Sequence, residues 1–224
     1  MLVLQLEGLY KSYKGPEGDI PVLEGSGLSL AKGEIAAITG RSGAGKSTLL
    51  SVAALLIPPD RGRILYSGRD VTTIRGKELS LLRSRSMGFV FQSSLLLSDF
   101  SSLENVAMPL LIQGMKRKDA YRRAGEMLAM LGLSERLKHR PDALSGGEKQ
   151  RVAIARALAG SPEVIFADEP TGLLDEHTRE EVEEALFSSV RDLGLSMLLV
   201  THDEKLSRKA DRRLVLSSGR LSDG

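Results

Sequence analysis

The stretch Gly40-Arg41-Ser42-Gly43-Ala44-Gly45-Lys46-Ser47-Thr48 follows an apolar run at residues 35–38 and precedes a second apolar run that begins at Leu49. This order predicts a strand, a glycine-rich turn and a helix. Glycine tolerates backbone angles and close approaches that a Cβ forbids, so successive N–H groups of the turn can converge on a phosphate chain at the positive end of the helix dipole. Lys46 supplies a charge for the outer phosphates, and the Ser47 hydroxyl can bind the accompanying Mg²⁺. We therefore interpret residues 40–48 as a P-loop that binds a nucleoside triphosphate.

The P-loop alone does not say how the nucleotide is used. A glycine-rich turn can be an ordinary turn, but a Lys-Ser pair between a strand and a helix favours the nucleotide site. Kinases, GTPases, helicases and transport ATPases all contain such a loop, so the function has to be argued from the rest of the chain.

Composition limits the class of protein. The chain has 224 residues, of which 42% are hydrophobic and 27% charged, and this predicts a globular protein with one large core or a core and a smaller subdomain. A formal net charge of +2 gives no molecule-wide field that would attract nucleic acid, and the absence of cysteine excludes disulfides and thiolate metal sites. The N-terminus alternates like a strand rather than resembling a signal peptide, and no run reaches the ~18 apolar residues that span a bilayer. We expect a cytoplasmic chain that meets a membrane only through partner chains.

Strand and helix signals divide the chain into two lobes. Residues 2–10 and 22–30 read as alternating strands, and Tyr13 lies where the first of them is predicted to end. An aromatic ring there can stack on a purine, although residue type alone favours an ordinary core or hairpin tyrosine. Helical signals replace strand signals between residues 93 and 160, where one helix opens at Ser102 with Pro109 close to its start, and buried strands resume at Val164. The sequence predicts an α/β fold with a parallel sheet, a helical insertion at 93–160 and an N-terminal β region.

Polar residues follow three of the predicted strands, at the sheet edge where α/β proteins bind ligands. Asp168 is placed to bind Mg²⁺, and Glu169 beside it can polarise the attacking water as general base. Gln92 is a candidate switch residue after the strand that precedes it. His202 can reach the γ-phosphate from another strand end, but a capping or core role is an open alternative for this residue.

A second anion site is predicted at the helix that begins with Ser145. Gly146 and Gly147 in its first turn leave N–H groups accessible at the positive end of the helix dipole, next to the Ser145 hydroxyl. One nucleotide loop and one separate phosphate-binding helix tip in the same chain suggest two copies arranged head to tail, with each tip completing the site of the other copy.

These residues together resemble the ATP-binding cassette (ABC) ATPases, and the resemblance covers essentially the whole chain. It implies a RecA-like P-loop core with a mixed sheet in residues 1–92 and 161–224, joined to the antiparallel β region, and a helical subdomain in 93–160. It also implies ATP and Mg²⁺ as cofactors, a homodimer, transmembrane permease partners, no nucleic acid, and a peripheral position on the cytoplasmic face of the inner membrane. The roles it implies are adenine stacking by Tyr13, Mg²⁺ binding by Ser47, Gln92 and Asp168, action across the dimer by Ser145, Gly146, Gly147 and Glu148, contact between the two sites by Asp175, general-base catalysis by Glu169 and γ-phosphate sensing by His202.

Three segments look closest to the lipoprotein-releasing branch of this family and its macrolide-exporter relatives: Leu97–Leu111, His139–Pro141 and Asp168–Gly172. They are similar also to a cell-division subfamily. Leu173 is a departure, because these relatives usually have asparagine there, and it affects the expected dimer contacts near Asp175. The function implied is ATP hydrolysis that powers lipoprotein release. A macrolide or peptide exporter, a cell-division complex, a soluble cassette ATPase acting on ribosomes or DNA, and a small-molecule kinase are the alternatives.

Overall fold

The computed structural model describes residues 1–16 and 18–224 of the chain. They form two units, one made of Met1–Ser80 with Ser196–Gly224 and the other of Leu81–Leu195. In chain order the elements are β1 (Leu2–Gly15), β2 (Gly18–Ala31), β3 (Ile35–Thr39), α1 (Lys46–Ala53), β4 (Arg61–Tyr66), β5 (Arg69–Asp70), α2 (Gly76–Ser86), β6 (Met87–Phe91), α3 (Ser102–Ile112), α4 (Arg117–Met130), α5 (Gly146–Ala159), β7 (Val164–Asp168), α6 (Glu176–Asp192), β8 (Ser196–Val200), α7 (Glu204–Ser207), β9 (Arg212–Ser217) and β10 (Arg220–Asp223).

The first unit contains an antiparallel sheet and the strand that leads into the P-loop. The antiparallel sheet has the order β2-β1-β4-β5. Strand β3 pairs in parallel with β8 on one side and β9 on the other, while β10 closes an antiparallel hairpin with β9. All residues of β8 and residues 35–38 of β3 are buried, as expected for central strands with unbroken apolar sequence. These elements fix the position from which the P-loop emerges.

The second unit combines a parallel strand pair with a group of helices. Strands β6 and β7 run in register from Met87 opposite Val164 to Phe91 opposite Asp168, so both strands end at the same edge. Helices α3, α4 and α5 pack on one another, and α5 also packs on β6 and α6. Helix α5 is therefore covered on most of its surface, and its residues 152–155 are all buried.

The predicted core with a mixed sheet and the predicted N-terminal antiparallel region are confirmed, but two local details were wrong. Strand β1 does not end near Tyr13 but continues to Gly15, because β2 pairs with it as far as Gly18. Pro109 is the eighth residue of the eleven-residue helix α3, not close to its start. A proline there removes one helical hydrogen bond, and the helix ends three residues later.

The predicted helical segment 93–160 lies within the second unit, and its bounds as a subdomain stay a prediction. Within the described residues 1–16 and 18–224, none of the helices has both the length and the apolar character needed to cross a bilayer.

Candidate nucleotide site

The backbone of the P-loop requires glycine at two positions. Gly40 has φ 147°, and a Cβ there would collide with the carbonyl oxygen of Leu216. Gly45 has φ 95° and caps α1, and a Cβ there would lie 2.6 Å from the Cγ1 atom of Val22. The loop therefore reaches the N-terminus of α1 in a conformation that leaves its N–H groups at the positive end of the helix.

Lys46 is held over this loop. Its ammonium group donates hydrogen bonds to the carbonyl oxygens of Gly40, at 2.9 Å, and Arg41, at 3.1 Å, and the residue is only 8% exposed. The Arg41, Ser42 and Gly43 positions are exposed, as is Ser47, whereas Ala44 is half-buried. The arrangement places one positive charge directly beneath an exposed loop of backbone donors, which suits a phosphate chain.

Tyr13 and Thr48 lie side by side at the start of α1. Their hydroxyl oxygens are 3.5 Å apart, and the ammonium nitrogen of Lys11 is 5.9 Å from the centroid of the Tyr13 ring. Tyr13 is 44% exposed, so part of its ring is open to a planar group. The adenine-stacking role of Tyr13 stays a prediction, and the structure places its hydroxyl next to Thr48 of the P-loop helix α1.

His202 follows β8 at the same sheet edge as the P-loop. Val200 pairs with Ile38, and the N–H of Thr201 donates to the carbonyl oxygen of Ile38 at 3.1 Å. Gly40 and His202 each come two residues after these paired positions, and His202 is exposed. The structure thus brings the predicted γ-phosphate residue to the edge that carries the P-loop.

In the second unit, Asp168 and Glu169 lie beside Gln92. Asp168 ends β7 opposite Phe91, so Gln92 begins the loop next to it. A Cβ on Gly172 would lie 2.9 Å from the Nε2 atom of Gln92, which shows that this side chain packs on the segment after Glu169. Glu169 is half-buried and has φ 45°, a left-handed conformation that is rare outside glycine and clusters at functional sites.

The tip of α5 is a capping box. The N–H of Glu148 donates to the Ser145 hydroxyl at 3.2 Å, and the Glu148 carboxylate accepts from the N–H of Ser145 at 2.8 Å. That backbone hydrogen bond, and then the one from Arg136, lower the pKa of Glu148 below its usual value. Ser145 and Gly146 are exposed, so the positive end of this 14-residue helix faces outward. The predicted helix start at Ser145 is confirmed.

Asp175 lies close to this tip and caps α6. Its carboxylate accepts from the N–H of Thr178 at 3.1 Å, and the Thr178 hydroxyl, followed by that N–H, lowers the pKa of Asp175. A Cβ on Gly146 would lie 3.3 Å from the Cδ2 atom of Leu174, so the two segments touch. Leu173 is 68% exposed beside them. Together they form one exposed surface of the second unit.

Gln150 and Arg156 of α5, for which no role was predicted, contact backbone groups outside their own helix. Gln150 is buried and donates to backbone carbonyls of two other segments. The guanidinium of Arg156 donates to the carbonyl oxygens of Ser94, at 2.8 Å, and Leu95, at 2.7 Å, and burial lowers the pKa of Arg156. The only sequence signal was a polar residue among the apolar residues of a buried helix, and that signal does not reveal the partner.

The donor types suit Mg²⁺ bound together with a nucleotide. Among residues 1–16 and 18–224, no cluster of three or more histidine, cysteine or acidic side chains is arranged to hold a metal. Mg²⁺ in nucleotide sites takes one or two protein oxygens and fills its coordination with phosphate and water oxygens. A carboxylate such as Asp168 and a hydroxyl such as Ser47 are ligands of this kind.

Comparisons with known proteins show the family of the chain. A family model described as ABC transporter matches residues 23–172. Lipoprotein-releasing system ATP-binding protein LolD of Bacteroides thetaiotaomicron is 47% identical over 220 residues, which cover 98% of this chain and 99% of the relative. LolD 2 of Caulobacter vibrioides is 47% identical over 219 residues, covering 98% and 96%.

Solved structures give the same result. An ATP-binding cassette described as dimeric, in a post-hydrolysis state and bound to ADP and Pi, is 35% identical, with a TM-score of 0.89 over 98% of both chains. A second structure, described as a dimeric bacterial ABC transporter cassette, is 36% identical with the same TM-score and coverage. The chain therefore belongs to the ABC transporter family and is an ATP-binding subunit of the LolD type.

Proposed function

We propose that this chain is the ATPase subunit of a membrane complex that releases lipoproteins from the inner membrane. As an ABC ATP-binding subunit it hydrolyses ATP to power transport. Support for the cargo comes from relatives named for lipoprotein release that match the chain at 47% identity over nearly its whole length. Two copies would bind as peripheral proteins on the cytoplasmic face of the membrane. Transmembrane permease subunits would couple their ATP hydrolysis to release of the lipoprotein.

The observation that carries the proposal is the exposed tip of α5. Ser145 and Gly146 present a helix N-terminus to the surface, next to exposed Leu173 and Asp175. A helix N-terminus with accessible N–H groups binds anions, and the anion proposed here is the γ-phosphate of ATP held on the P-loop of a second copy. Each copy would then contribute one P-loop and one α5 tip, giving two ATP sites per dimer.

The remaining site residues have the following proposed roles. The P-loop residues Gly40–Thr48 hold the phosphates, Tyr13 stacks on adenine, and His202 contacts the γ-phosphate. Gly147 and Glu148 support Ser145 at the tip. Glu169 polarises the attacking water, and a general base of this kind contributes ~10²–10⁴-fold in rate. Asp175 links the two sites across the dimer.

Ser47, Gln92 and Asp168 would hold Mg²⁺, because their hydroxyl, amide and carboxylate oxygens are the ligands it prefers. The ion supplies charge neutralisation for the phosphate oxygens during hydrolysis.

We further propose the division of the chain into residues 1–92 with 161–224 as the RecA-like and β lobe and 93–160 as the helical subdomain.

The first test is Glu169→Gln in the full chain. We expect ATP to bind normally, kcat to fall at least 100-fold, and the protein to shift from monomer to dimer in light scattering when ATP and Mg²⁺ are added. If Glu169→Gln hydrolysed ATP at the wild-type rate, the proposed role of Glu169 as general base would be wrong. A Glu169→Gln protein that is inactive but stays monomeric with ATP and Mg²⁺ would contradict the proposed ATP-bound dimer.

The second test concerns the cargo. The chain is purified from membranes with its bound subunits, reconstituted in liposomes with an acylated lipoprotein, and supplied with ATP. Release of the lipoprotein by the wild type but not by Glu169→Gln is expected. ATP hydrolysis without release, together with export of a macrolide or a peptide, would assign the complex to the exporter relatives.

A further inference from the structure

Gln150 is a buried amide in the first half of α5, five residues beyond Ser145. It is 3% exposed, and the next four residues along the helix include the fully buried Val152 and Ile154. An uncharged polar side chain in such a place costs free energy unless it is hydrogen-bonded, so its partners determine what it does.

Both amide protons of Gln150 have a backbone partner. The Nε2 atom donates to the carbonyl oxygen of Phe91 at 2.8 Å and to that of Pro170 at 2.6 Å. Because both partners are acceptors, only the nitrogen of the amide can face them. A single side chain of α5 thus joins the end of β6 to the segment that follows β7.

The two carbonyls belong to the residues that flank the proposed catalytic groups. Phe91 directly precedes Gln92, and Pro170 directly follows Glu169. The backbone at Glu169 is in the left-handed region, with φ 45°, and surrounding contacts have to maintain that conformation. The N–H of Gly172 donates to the Glu169 carbonyl oxygen at 3.1 Å, and the Gln150 amide donates to the carbonyl oxygen of the next residue, Pro170, so both hydrogen bonds hold the backbone that directly follows Glu169.

We propose that Gln150 is a positioning residue for hydrolysis, which holds Gln92 and Glu169 in their working geometry relative to the Ser145 tip. The inference rests on the proposed base role of Glu169. Helix α5 carries the phosphate-binding tip at its N-terminus and the Gln150 amide one turn later. Placement of the tip on a phosphate is thereby transmitted to the base of the same chain.

The test compares three single variants of the full chain and one double variant. Gln150→Met keeps the approximate size but removes both donors, and Gln150→Glu places an acceptor against two carbonyl oxygens. The matched control is Gln113→Met, because the Gln113 amide also donates to a backbone carbonyl, that of Ser84, in the same unit. Measurements are kcat and KM for ATP hydrolysis, the affinity for a fluorescent ATP analogue with Mg²⁺, and the melting temperature.

A base displaced by about 1 Å typically loses on the order of 100-fold in rate while the nucleotide contacts persist. We expect kcat of Gln150→Met to fall about 10- to 100-fold, with KM and analogue affinity within about twofold of wild type, and kcat of Gln150→Glu to fall at least as far. Gln113→Met removes one such hydrogen bond at a half-buried position, so it should also lower the melting temperature while keeping the wild-type kcat. Adding Gln150→Met to Glu169→Gln should lower kcat by a much smaller factor than it does in the wild type, since both changes act in part through Glu169.

Two results would overturn the inference. One is a wild-type kcat in both Gln150 variants. The other is a parallel loss of kcat, affinity and melting temperature that Gln113→Met reproduces, which would make Gln150 an ordinary core residue. Failure of the proposed function is distinguishable, because it would appear as wild-type hydrolysis by Glu169→Gln alone.

Discussion

Two helices of the second unit begin with the same capping box, and this gives a matched pair of substitutions. Ser145 and Glu148 cap α5, and Ser101 and Glu104 cap α3 with the same reciprocal hydrogen bonds. The N–H of residue N3 donates to the serine hydroxyl at 3.2 Å in α5 and at 3.3 Å in α3. Ser145→Ala and Ser101→Ala therefore remove the same local interaction, but only Ser145 is proposed to contact a phosphate.

The expected losses of stability are equal. Loss of a serine cap costs about 1 kcal/mol. In a chain of this size that lowers the melting temperature by about 2–4 °C. A hydrogen bond from Ser145 to a charged phosphate is worth about 1.5–3 kcal/mol, which corresponds to about 10- to 100-fold in hydrolysis rate.

The assay is scanning calorimetry together with steady-state ATP hydrolysis of both variants. We expect melting temperatures within about 2 °C of one another, a wild-type rate for Ser101→Ala and a rate at least about 10-fold lower for Ser145→Ala. Equal rates in the two variants, whether reduced or unchanged, would refute a phosphate contact at the α5 tip, since the cap would then account for everything.

Two further predictions use single groups of the site. Lys46→Met should weaken binding of a fluorescent ATP analogue about 10- to 100-fold, because a charged donor to the phosphates is lost; unchanged affinity in a fluorescence titration would contradict the P-loop assignment. Glu148 has a pKa below its usual 4.5, so its contribution to stability is complete above pH 4.5 and is lost as the pH falls through the lowered folded value. The melting temperature of Glu148→Gln should accordingly vary less with pH below 4.5 than that of the wild type, and parallel curves in calorimetry would show that the cap carboxylate is not responsible.

Much of the fold could be predicted because its signals are local. The apolar run at 35–38, the glycines and Lys46 specify a strand, a turn and a helix within a few residues of one another. The buried strand before Asp168 and the caps at Ser145 and Asp175 follow from similarly short patterns. Such features depend on backbone sterics and capping, which act over one or two turns.

Features that depend on pairing were less accessible. The length of β1 is set by hydrogen bonds to β2, and the register of this hairpin shifts at several points, so the alternation of residues 2–10 could not show that Tyr13 lies inside the strand. The predicted start of α3 at Ser102 is correct, and the error concerned only Pro109, which was described as close to that start, where proline is usually found, but is the eighth residue of the helix.

The polar residues at the strand ends and the start of α5 could be located from the sequence, but the hydrogen-bond partners of the buried polar side chains could not. Gln150 and Arg156 lie on a helix whose apolar pattern predicts burial, and nothing in their spacing identifies the carbonyls of residues 91, 94, 95 and 170 as partners. Backbone carbonyls are present at every residue and carry no sequence signal. Only the folded arrangement reveals which of them a buried donor reaches.

The most direct test of the central claim is a cross-link between the P-loop of one copy and the α5 tip of another. The chain contains no cysteine, so single cysteines can be introduced at Ser42 and at Ala143, which are both exposed, while Ser145 and Lys46 stay intact. In the Glu169→Gln background, mixing the Ser42→Cys and Ala143→Cys proteins with a short bis-maleimide should yield a covalent dimer with ATP and Mg²⁺ and little without nucleotide. A fluorescent ATP analogue first checks that the Ser42→Cys protein still binds nucleotide; no covalent dimer from nucleotide-binding protein at saturating ATP, or the same yield without ATP, would contradict an ATP site completed by a second copy.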